Sequence, residues 1–141
     1  MPDVAVLRRL SEAADPISAI RRELPDLSGV RVMGGKVLVA LYVGPERDKK
    51  SGLYRTPSQL KEDVYQGTVG LVLRHGPGSF QDGWRDGSRF EFGGFRAEIG
   101  EWAIFRPGDG KRIQFNGVDC RWIWDCDIDA TTPDPEIITY R

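Results

Sequence analysis

The chain of 141 residues has little histidine, little cysteine and no excess of charge of either sign. It contains one His, two Cys and 20 basic against 21 acidic residues, which gives a formal net charge of -1. This balance leaves no basic field for nucleic acid and no acidic tail. The apolar runs are no longer than a strand, so we expect neither a membrane span nor a signal peptide.

The two cysteines, Cys120 and Cys126, match no zinc or redox spacing, and His75 alone does not complete a metal cluster with them. On a single strand Cys120, Trp122, Trp124 and Cys126 would share one face, which predicts core packing. Cysteines six positions apart on that face are too distant to form a disulfide. We therefore expect free thiols, no metal, no cofactor and a reducing compartment such as a host cytoplasm.

An apolar, β-branched stretch over residues 64–77 predicts the strand around which the chain is organised. Alternation along a strand would place Val69, Leu71 and Leu73 on one face. Gly67 and Gly70 inside this stretch weaken a strand unless it bends, and a small barrel needs such bends where its sheet closes. The stretch therefore favours a strand of a closed barrel.

The other apolar segments predict that the protein is all-β with a helical N-terminal extension. Asn116-Gly117 is the strongest hairpin signal in the chain. The expected strands cover residues 36–43, 99–107, 111–115 and 118–125, with a short strand at 127–130 and a terminal edge strand within 136–140.

The first 29 residues form the N-terminal helical extension. Val4, Leu7 and Leu10 recur at helical spacing, and Asp15-Pro16 indicates an N-cap followed by proline at the first helical position. Two short helices or one kinked helix are expected over residues 4–24. This extension would either cap an open end of the barrel or act as a docking arm for a neighbouring subunit.

Two long loops flank the organising strand. Residues 44–63 are too polar to order themselves by burial, and a loop of that length is usually functional or disordered. Residues 76–97 combine many glycines with aromatic side chains, which predicts a long hairpin. Phe80 and Trp84 are its possible partner contacts. The alternative is that the aromatic side chains form a small core that holds the hairpin together. We prefer this interpretation for Phe90 and Phe92.

The order of these parts resembles the GroES-like co-chaperonin family, and more closely the divergent GroES-like proteins of tailed bacteriophages. The resemblance covers roughly residues 30–130, with a C-terminal tail at 131–141 outside it. It is carried by the segments GGKVLVALYV, KKSGLYRTP, QGTVGLVLRHGPG, EIGEWAIFRPGDG and CRWIWDCDIDA.

The resemblance implies a small, irregular β-barrel that assembles into rings, with a mobile loop and a roof hairpin at residues 76–97. In the family, an apolar clip preceded by glycine inserts into a groove of the chaperonin. That clip corresponds here to Leu53, Tyr54 and Arg55 after Gly52. The family has apolar residues at the first and third positions, so Arg55 departs from the pattern. Burying a guanidinium without a partner costs several kcal/mol, which predicts a weak groove interaction.

Two non-enzymatic functions follow from these features. The sequence has no nucleophile with a base at motif spacing and no phosphate-binding glycine pattern, so we expect no enzyme. Arg55 and the terminal extensions favour a phage structural or assembly protein, a GroES-like barrel that binds or decorates the capsid. The alternative is an active co-chaperonin that caps a host chaperonin while capsid protein folds. In either case the partners are proteins, the chain is a homo-oligomer or lattice member, and it resides in the virion or the host cytoplasm.

Overall fold

The computed structural model describes residues 4–44 and 68–137. This part of the chain is mostly antiparallel sheet preceded by two short helices. The helices are α1 (Val4–Ser11) and α2 (Pro16–Glu23). The strands are β1 (Lys36–Leu41), β2 (Val69–His75), β3 (Gly83–Arg85), β4 (Ser88–Phe90), β5 (Trp102–Ile104), β6 (Lys111–Phe115), β7 (Val118–Trp124) and β8 (Ala130–Thr132). Two 3₁₀ helices cover Asp125–Asp127 and Pro135–Ile137.

Six of the strands form one sheet in the order β6-β7-β1-β2-β5-β8, and every pairing is antiparallel. Strand β1 lies between β7 and β2, and its residues from Val37 to Ala40 are completely buried. Because successive side chains of a strand point to opposite faces, β1 is covered on both sides. The core of the protein is therefore centred on β1.

The predicted helices are confirmed as two separate segments. Asp15 is the N-cap of α2, where its side chain accepts a hydrogen bond from the Ser18 amide, and Pro16 is the first helical residue. Leu7 and Ile20 are buried in the core. None of the helices between residues 4 and 44 or between 68 and 137 is long and apolar enough to cross a membrane.

The hairpin predicted at Asn116-Gly117 is also confirmed. It joins β6 to β7, and both turn residues have positive φ, 51° at Asn116 and 80° at Gly117. Positive φ at both central residues is the requirement of a type I′ turn, which matches the twist of the flanking strands.

The predicted all-β class is confirmed in its coarse form. The described sheet is open, because β6 and β8 lie at its two edges and are not paired with each other. The predicted closure of the barrel is therefore not present among the strands of residues 4–44 and 68–137.

Val69, Leu71 and Leu73, which were predicted to share a face of β2, all lie in the hydrophobic core or pack against it. Val69 and Leu71 are buried, but the pairing of β2 with β1 skips a residue. Leu38 pairs with Arg74 while Val39 pairs with Val72, so Leu73 is left unpaired in a β-bulge. A bulge inserts one extra residue and breaks the strict alternation of side chains.

Several predicted strand ends are corrected as well. β7 ends at Trp124, and Cys126 lies in a 3₁₀ helix instead of sharing a strand face with Cys120. Strand β5 begins only at Trp102, because Gly100 has a φ of 96°, which a strand does not adopt. The predicted strand at 127–130 is replaced by the end of the first 3₁₀ helix and the start of β8. The predicted edge strand at 136–140 begins instead with the second 3₁₀ helix, and its last residues lie outside the described chain.

Candidate contact site at the hairpin lobe

Residues 76–97, here called the hairpin lobe, start at a turn that is clamped against the residues before β1. The Gly76 amide donates to the Lys36 carbonyl at 2.9 Å, and the Gly78 amide donates to the Gly34 carbonyl at 3.0 Å. The Ser79 hydroxyl donates to the Lys36 carbonyl at 3.1 Å. A Cβ at Gly76 would collide with the Gly34 carbonyl oxygen. Glycine therefore permits the close backbone approach that joins the lobe to the sheet.

A buried ion pair makes the second attachment of the lobe. The Arg85 guanidinium donates from Nε to Asp125 Oδ1 at 2.9 Å and from Nη2 to Asp125 Oδ2 at 2.8 Å. The Asp125 side chain is completely buried, and that of Arg85 is 12% exposed. Asp125 directly follows β7, whereas Arg85 ends β3. The pair thus fixes the lobe to the main sheet over a sequence distance of 40 residues.

Every oxygen of the Asp125 carboxylate accepts two hydrogen bonds. Oδ2 also accepts from the Phe80 amide at 2.9 Å, and Oδ1 also accepts from the Cys126 amide at 2.8 Å. The guanidinium further donates to the carbonyls of Gly78 and Trp84. These bonds to Asp125 raise the pKa of Arg85 above its ordinary value. A buried charge is tolerated when it is paired and its remaining hydrogen-bonding capacity is filled, as here.

An aromatic cluster fills the interior of the lobe. The Phe80 ring makes edge-to-face contacts with Phe92 and Phe95, at centroid distances of 5.8 and 6.0 Å. Phe90 packs on Phe92 at 4.8 Å. Phe80 has a φ of 62°, a strained value for a residue with a Cβ. The hydrogen bond from its amide to Asp125 and the ring contacts hold it in that conformation.

His75, the last residue of β2, borders the same cluster. Its ring meets Phe80 edge-to-face at 5.8 Å, and its Nε2 lies 3.2 Å from Nη2 of Arg96. Burial first, and the charge of Arg96 second, lower the pKa of His75, whereas Glu98 opposes them. The imidazole is therefore neutral at physiological pH and accepts a hydrogen bond from the Arg96 guanidinium.

The tip of the lobe is a two-residue hairpin turn between β3 and β4. Asp86 and Gly87 have φ values of 52° and 79°, the left-handed values of a type I′ turn. Trp84 pairs with Arg89 across the hairpin, whereas Arg85 pairs with Ser88. Since paired residues share a face and Arg85 points to the sheet, Trp84 and Arg89 lie on the opposite, outward face.

The two sequence candidates in the lobe have different environments. Trp84 is 69% exposed at the tip, whereas Phe80 is only 8% exposed inside the aromatic cluster. Phe92 is buried, and Phe90 is partly exposed at 38%. The candidate loop residues Gly52, Leu53, Tyr54 and Arg55 lie outside the described residues. Trp84 is therefore the candidate contact residue that the described structure presents to solvent.

The titratable groups of the described chain include two cysteine thiols with raised pKa values. Burial raises the pKa of the Cys120 thiol to about 12, and burial also raises that of Cys126. Both cysteines are free thiols that stay protonated at neutral pH. Within residues 4–44 and 68–137 no group of three or more His, Cys, Asp or Glu side chains could hold a metal ion.

The sequence alone did not indicate Arg85 and Asp125, which position the hairpin that carries Trp84. No local pattern connects two residues 40 positions apart, so their pairing has no signal in a single sequence. Asp86-Gly87, in contrast, is a hairpin turn signal that could have located the tip and placed Trp84 on it.

No protein-family model matches this chain, and no curated protein matches it.

Proposed function

We propose that this protein is a non-enzymatic structural or assembly protein of a tailed bacteriophage, in which a GroES-like β-barrel binds or decorates the capsid. One observation carries the proposal: a hairpin anchored by the Arg85–Asp125 ion pair presents Trp84 to solvent with 69% of its surface exposed. The partner on the particle is capsid protein or a neighbouring copy of the chain. The resemblance of residues 30–130 to the phage GroES-like proteins supplies the phage and capsid part of the proposal.

An exposed tryptophan on a fixed support is suited to protein recognition. Aromatic side chains bury 150–250 Å² each, and tryptophan is enriched among the few residues that dominate interface energetics. Exposing such a ring in the free protein is unfavourable unless a partner covers it. The anchoring of the lobe by Arg85 and Asp125 reduces the entropy lost on binding, because the tip is already ordered.

Two features of the described chain, the burial of β1 and the order of the strands, support the finer assignment of a GroES-like barrel. Strand β1 is buried on both faces, as in a barrel wall covered from outside. The chain order of β1, a polar segment, β2, an aromatic hairpin and β5 agrees with the order of parts that the resemblance implies.

Occupancy of purified phage particles tests the proposal. We expect the protein to be found in particles by mass spectrometry, and Trp84→Ala to lower its affinity for them about tenfold or more. Ile99→Ala is the matched control, because Ile99 is 56% exposed and lies after the hairpin. Absence of the protein from particles, or equal binding of Trp84→Ala and the wild type, would contradict the proposal.

A working co-chaperonin is the second candidate function, and one sequence feature favours it. Gly52 and Leu53 match the start of the family's chaperonin-binding clip, in the segment that joins β1 to β2. Arg55 at the third clip position opposes it. Capture by a purified chaperonin with nucleotide separates the two functions: tight capture that is lost in Leu53→Ala would favour the co-chaperonin.

A further inference from the structure

A hydrogen bond between two side chains closes the base of the hairpin lobe. The chain enters the lobe directly after His75, and Arg96 is the last residue but one of the lobe. Nη2 of Arg96 lies 3.2 Å from Nε2 of His75, although the two residues are 21 positions apart. Their contact therefore ties the beginning of the lobe to its end.

The chemistry of arginine fixes the donor and the acceptor of this bond. A guanidinium has five N–H donors and no acceptor, so Nε2 of His75 accepts the bond and carries no proton. The proton of the neutral imidazole is then on Nδ1. Protonation of His75 places an N–H at Nε2, opposite the N–H groups of Arg96. The hydrogen bond is lost, and two positive charges face each other across the same gap.

Two charged side chains among the described residues act on the imidazole. Burial lowers the pKa of His75 most, the charge of Arg96 lowers it further, and Glu98 raises it. The other neighbours of the ring are apolar: Val37 is its pairing partner on β1, and Phe80 meets it from the lobe. Nε of Arg96 is already 3.4 Å from Oε1 of Glu98. When the imidazole becomes charged, the guanidinium therefore has an acceptor on its other side.

Residues 93–96, here called the exit segment, begin with a glycine hinge. Gly93 and Gly94 are exposed, with φ values of 60° and 84°, and nothing lies within 4 Å of a Cβ added to either. Phe92, directly before the exit segment, is buried, and its amide donates a hydrogen bond within the hairpin. Ala97, directly after it, is completely buried. The exit segment can therefore move while the hairpin and the sheet stay in place.

The exit segment covers one side of the aromatic cluster. Phe95 is partly buried, and its ring meets that of Phe80 edge-to-face at 6.0 Å. Phe80 in turn contacts the His75 ring at 5.8 Å. Because Arg96 directly follows Phe95, a movement of Arg96 away from His75 draws Phe95 off Phe80. Such a movement uncovers apolar ring surface.

We propose that His75 and Arg96 form a pH-sensitive clasp, and that protonation of His75 releases the exit segment from the aromatic cluster. The release occurs in acid and reverses at neutral pH. It exposes an apolar contact surface beside the hairpin tip, while the ion pair of Arg85 with Asp125 keeps the tip attached to the sheet. This device goes beyond the proposed function and does not depend on it.

Nuclear magnetic resonance of the purified full chain tests the clasp directly, because the chain has a single histidine. In the neutral ring we expect the proton on Nδ1. Arg96→Gln should raise the midpoint pH of the His75 titration, since it removes a positive charge, and Glu98→Gln should lower it, since it removes a negative charge. A proton on Nε2 of the neutral ring, or shifts of the same sign in the two variants, would overturn the inference.

Binding of the dye ANS, which reports exposed apolar surface, measures the release of the exit segment. Between about pH 7.5 and about pH 5.5 we expect dye fluorescence to rise roughly threefold in the wild type and to stay nearly constant in His75→Gln, which is neutral throughout. The contact between the Phe80 and Phe95 rings should be lost over the same range in the wild type alone. Equal changes in both proteins, or a ring contact that persists after His75 is protonated, would overturn the inference.

Circular dichroism separates the local release from global unfolding. The sheet signal of the wild type should be unchanged at the lower pH, and its loss there would also contradict a local release. If His75→Gln fails to fold, Arg96→Gln takes its place in the dye measurement, because it removes the second positive charge of the clasp and should likewise reduce the rise in fluorescence.

Discussion

A single carboxylate, Asp125, joins three parts of the described structure: the end of β7, the start of the aromatic cluster and the hairpin tip. It accepts hydrogen bonds from Phe80, Arg85 and Cys126 within 2.9 Å and is completely buried. We expect Asp125→Ala to lower the free energy of unfolding by about 3–5 kcal/mol, because it leaves a largely buried guanidinium without its partner. Urea unfolding followed by circular dichroism measures this loss.

An exposed ion pair at the C-terminal end of the hairpin lobe is the matched control. Arg96 and Glu98 are about half exposed, at 50% and 62%, and their charged atoms are 3.4 Å apart. Glu98→Ala should cost no more than about 1 kcal/mol, since exposed pairs are screened by solvent. Equal losses in Asp125→Ala and Glu98→Ala would contradict the anchoring role of Asp125.

The only histidine of the chain makes stability depend on pH near neutrality. The pKa of His75 in the folded protein is lower than its ordinary value of 6.5. As the pH falls, the unfolded chain therefore binds a proton at His75 before the folded chain does. Stability should therefore fall as the pH falls from about 7.5 to about 5.5. In His75→Gln this fall should be smaller. Unfolding free energies of both proteins at the two pH values measure the difference.

The comparison with His75→Gln isolates the histidine from the carboxylates. Burial raises the pKa values of Asp119 and Asp127 above 3.8, and both groups titrate in the wild type and the variant alike. Identical pH dependence in the two proteins would show that His75 is not protonated differently in the folded and unfolded states.

At the scale of elements, the sequence predicted those structures that short-range chemistry determines. Asp15-Pro16 starts α2. Asn116-Gly117 forms the turn that joins β6 to β7, with the positive φ values that such a turn requires. Each signal acts within a few residues, so a single sequence contains all the information needed.

The missed elements depend on contacts between distant parts of the chain. The pairing of β1 with β2 contains a bulge at Leu73, and Cys126 leaves the expected strand because β7 ends at Trp124 and a 3₁₀ helix follows. Phe80 has a strained φ, and its amide donates to Asp125, 45 positions away. Alternation and propensity along the chain do not report such pairings.

Three glycines allow two effects of a substitution to be measured separately. One is the strain of a positive φ, and the other is the collision of an added Cβ with its neighbours. Gly87 at the hairpin tip has a φ of 79° but nothing within 4 Å of an added Cβ. Gly87→Ala should therefore cost about 1–2 kcal/mol from backbone strain alone. Gly110 has a φ of 80°, and a Cβ there would also collide with the Trp122 carbonyl, so Gly110→Ala should cost more. Thermal unfolding of the variants gives the order.

Gly29 is the matched control of this series. An added Cβ meets nothing within 4 Å, and no positive φ applies. Gly29→Ala should be neutral or stabilising by up to about 1 kcal/mol, since alanine restricts the unfolded chain. A loss at Gly29 equal to that at Gly87 would contradict the role of the left-handed turn.

At the scale of the whole molecule, the described chain consists of a large sheet and a lobe attached to it. The six-stranded sheet buries β1 on both faces, whereas β3 and β4 pair only with each other. The lobe is attached through the Gly76–Ser79 turn, through Arg85 with Asp125, through the contacts of His75 with Phe80 and Arg96, and through Phe80 and Phe92, which belong to the hydrophobic core. A unit whose strands pair only with each other opens at a lower free energy than the core it rests on.

Native-state hydrogen exchange should resolve these two units. We expect the slowest exchange at the amides of β1 and at Val69–Val72, where every residue is buried, and faster exchange at the amides of β3 and β4. In Asp125→Ala the protection of residues 83–90 should fall much further than that of β1, because the variant removes the ion pair that attaches the hairpin. Exchange of the hairpin and β1 with one common opening free energy would show instead that the lobe and the sheet unfold together. In that case the tip that presents Trp84 would be as stable as the sheet, and loss of Asp125 would weaken partner binding only through global unfolding.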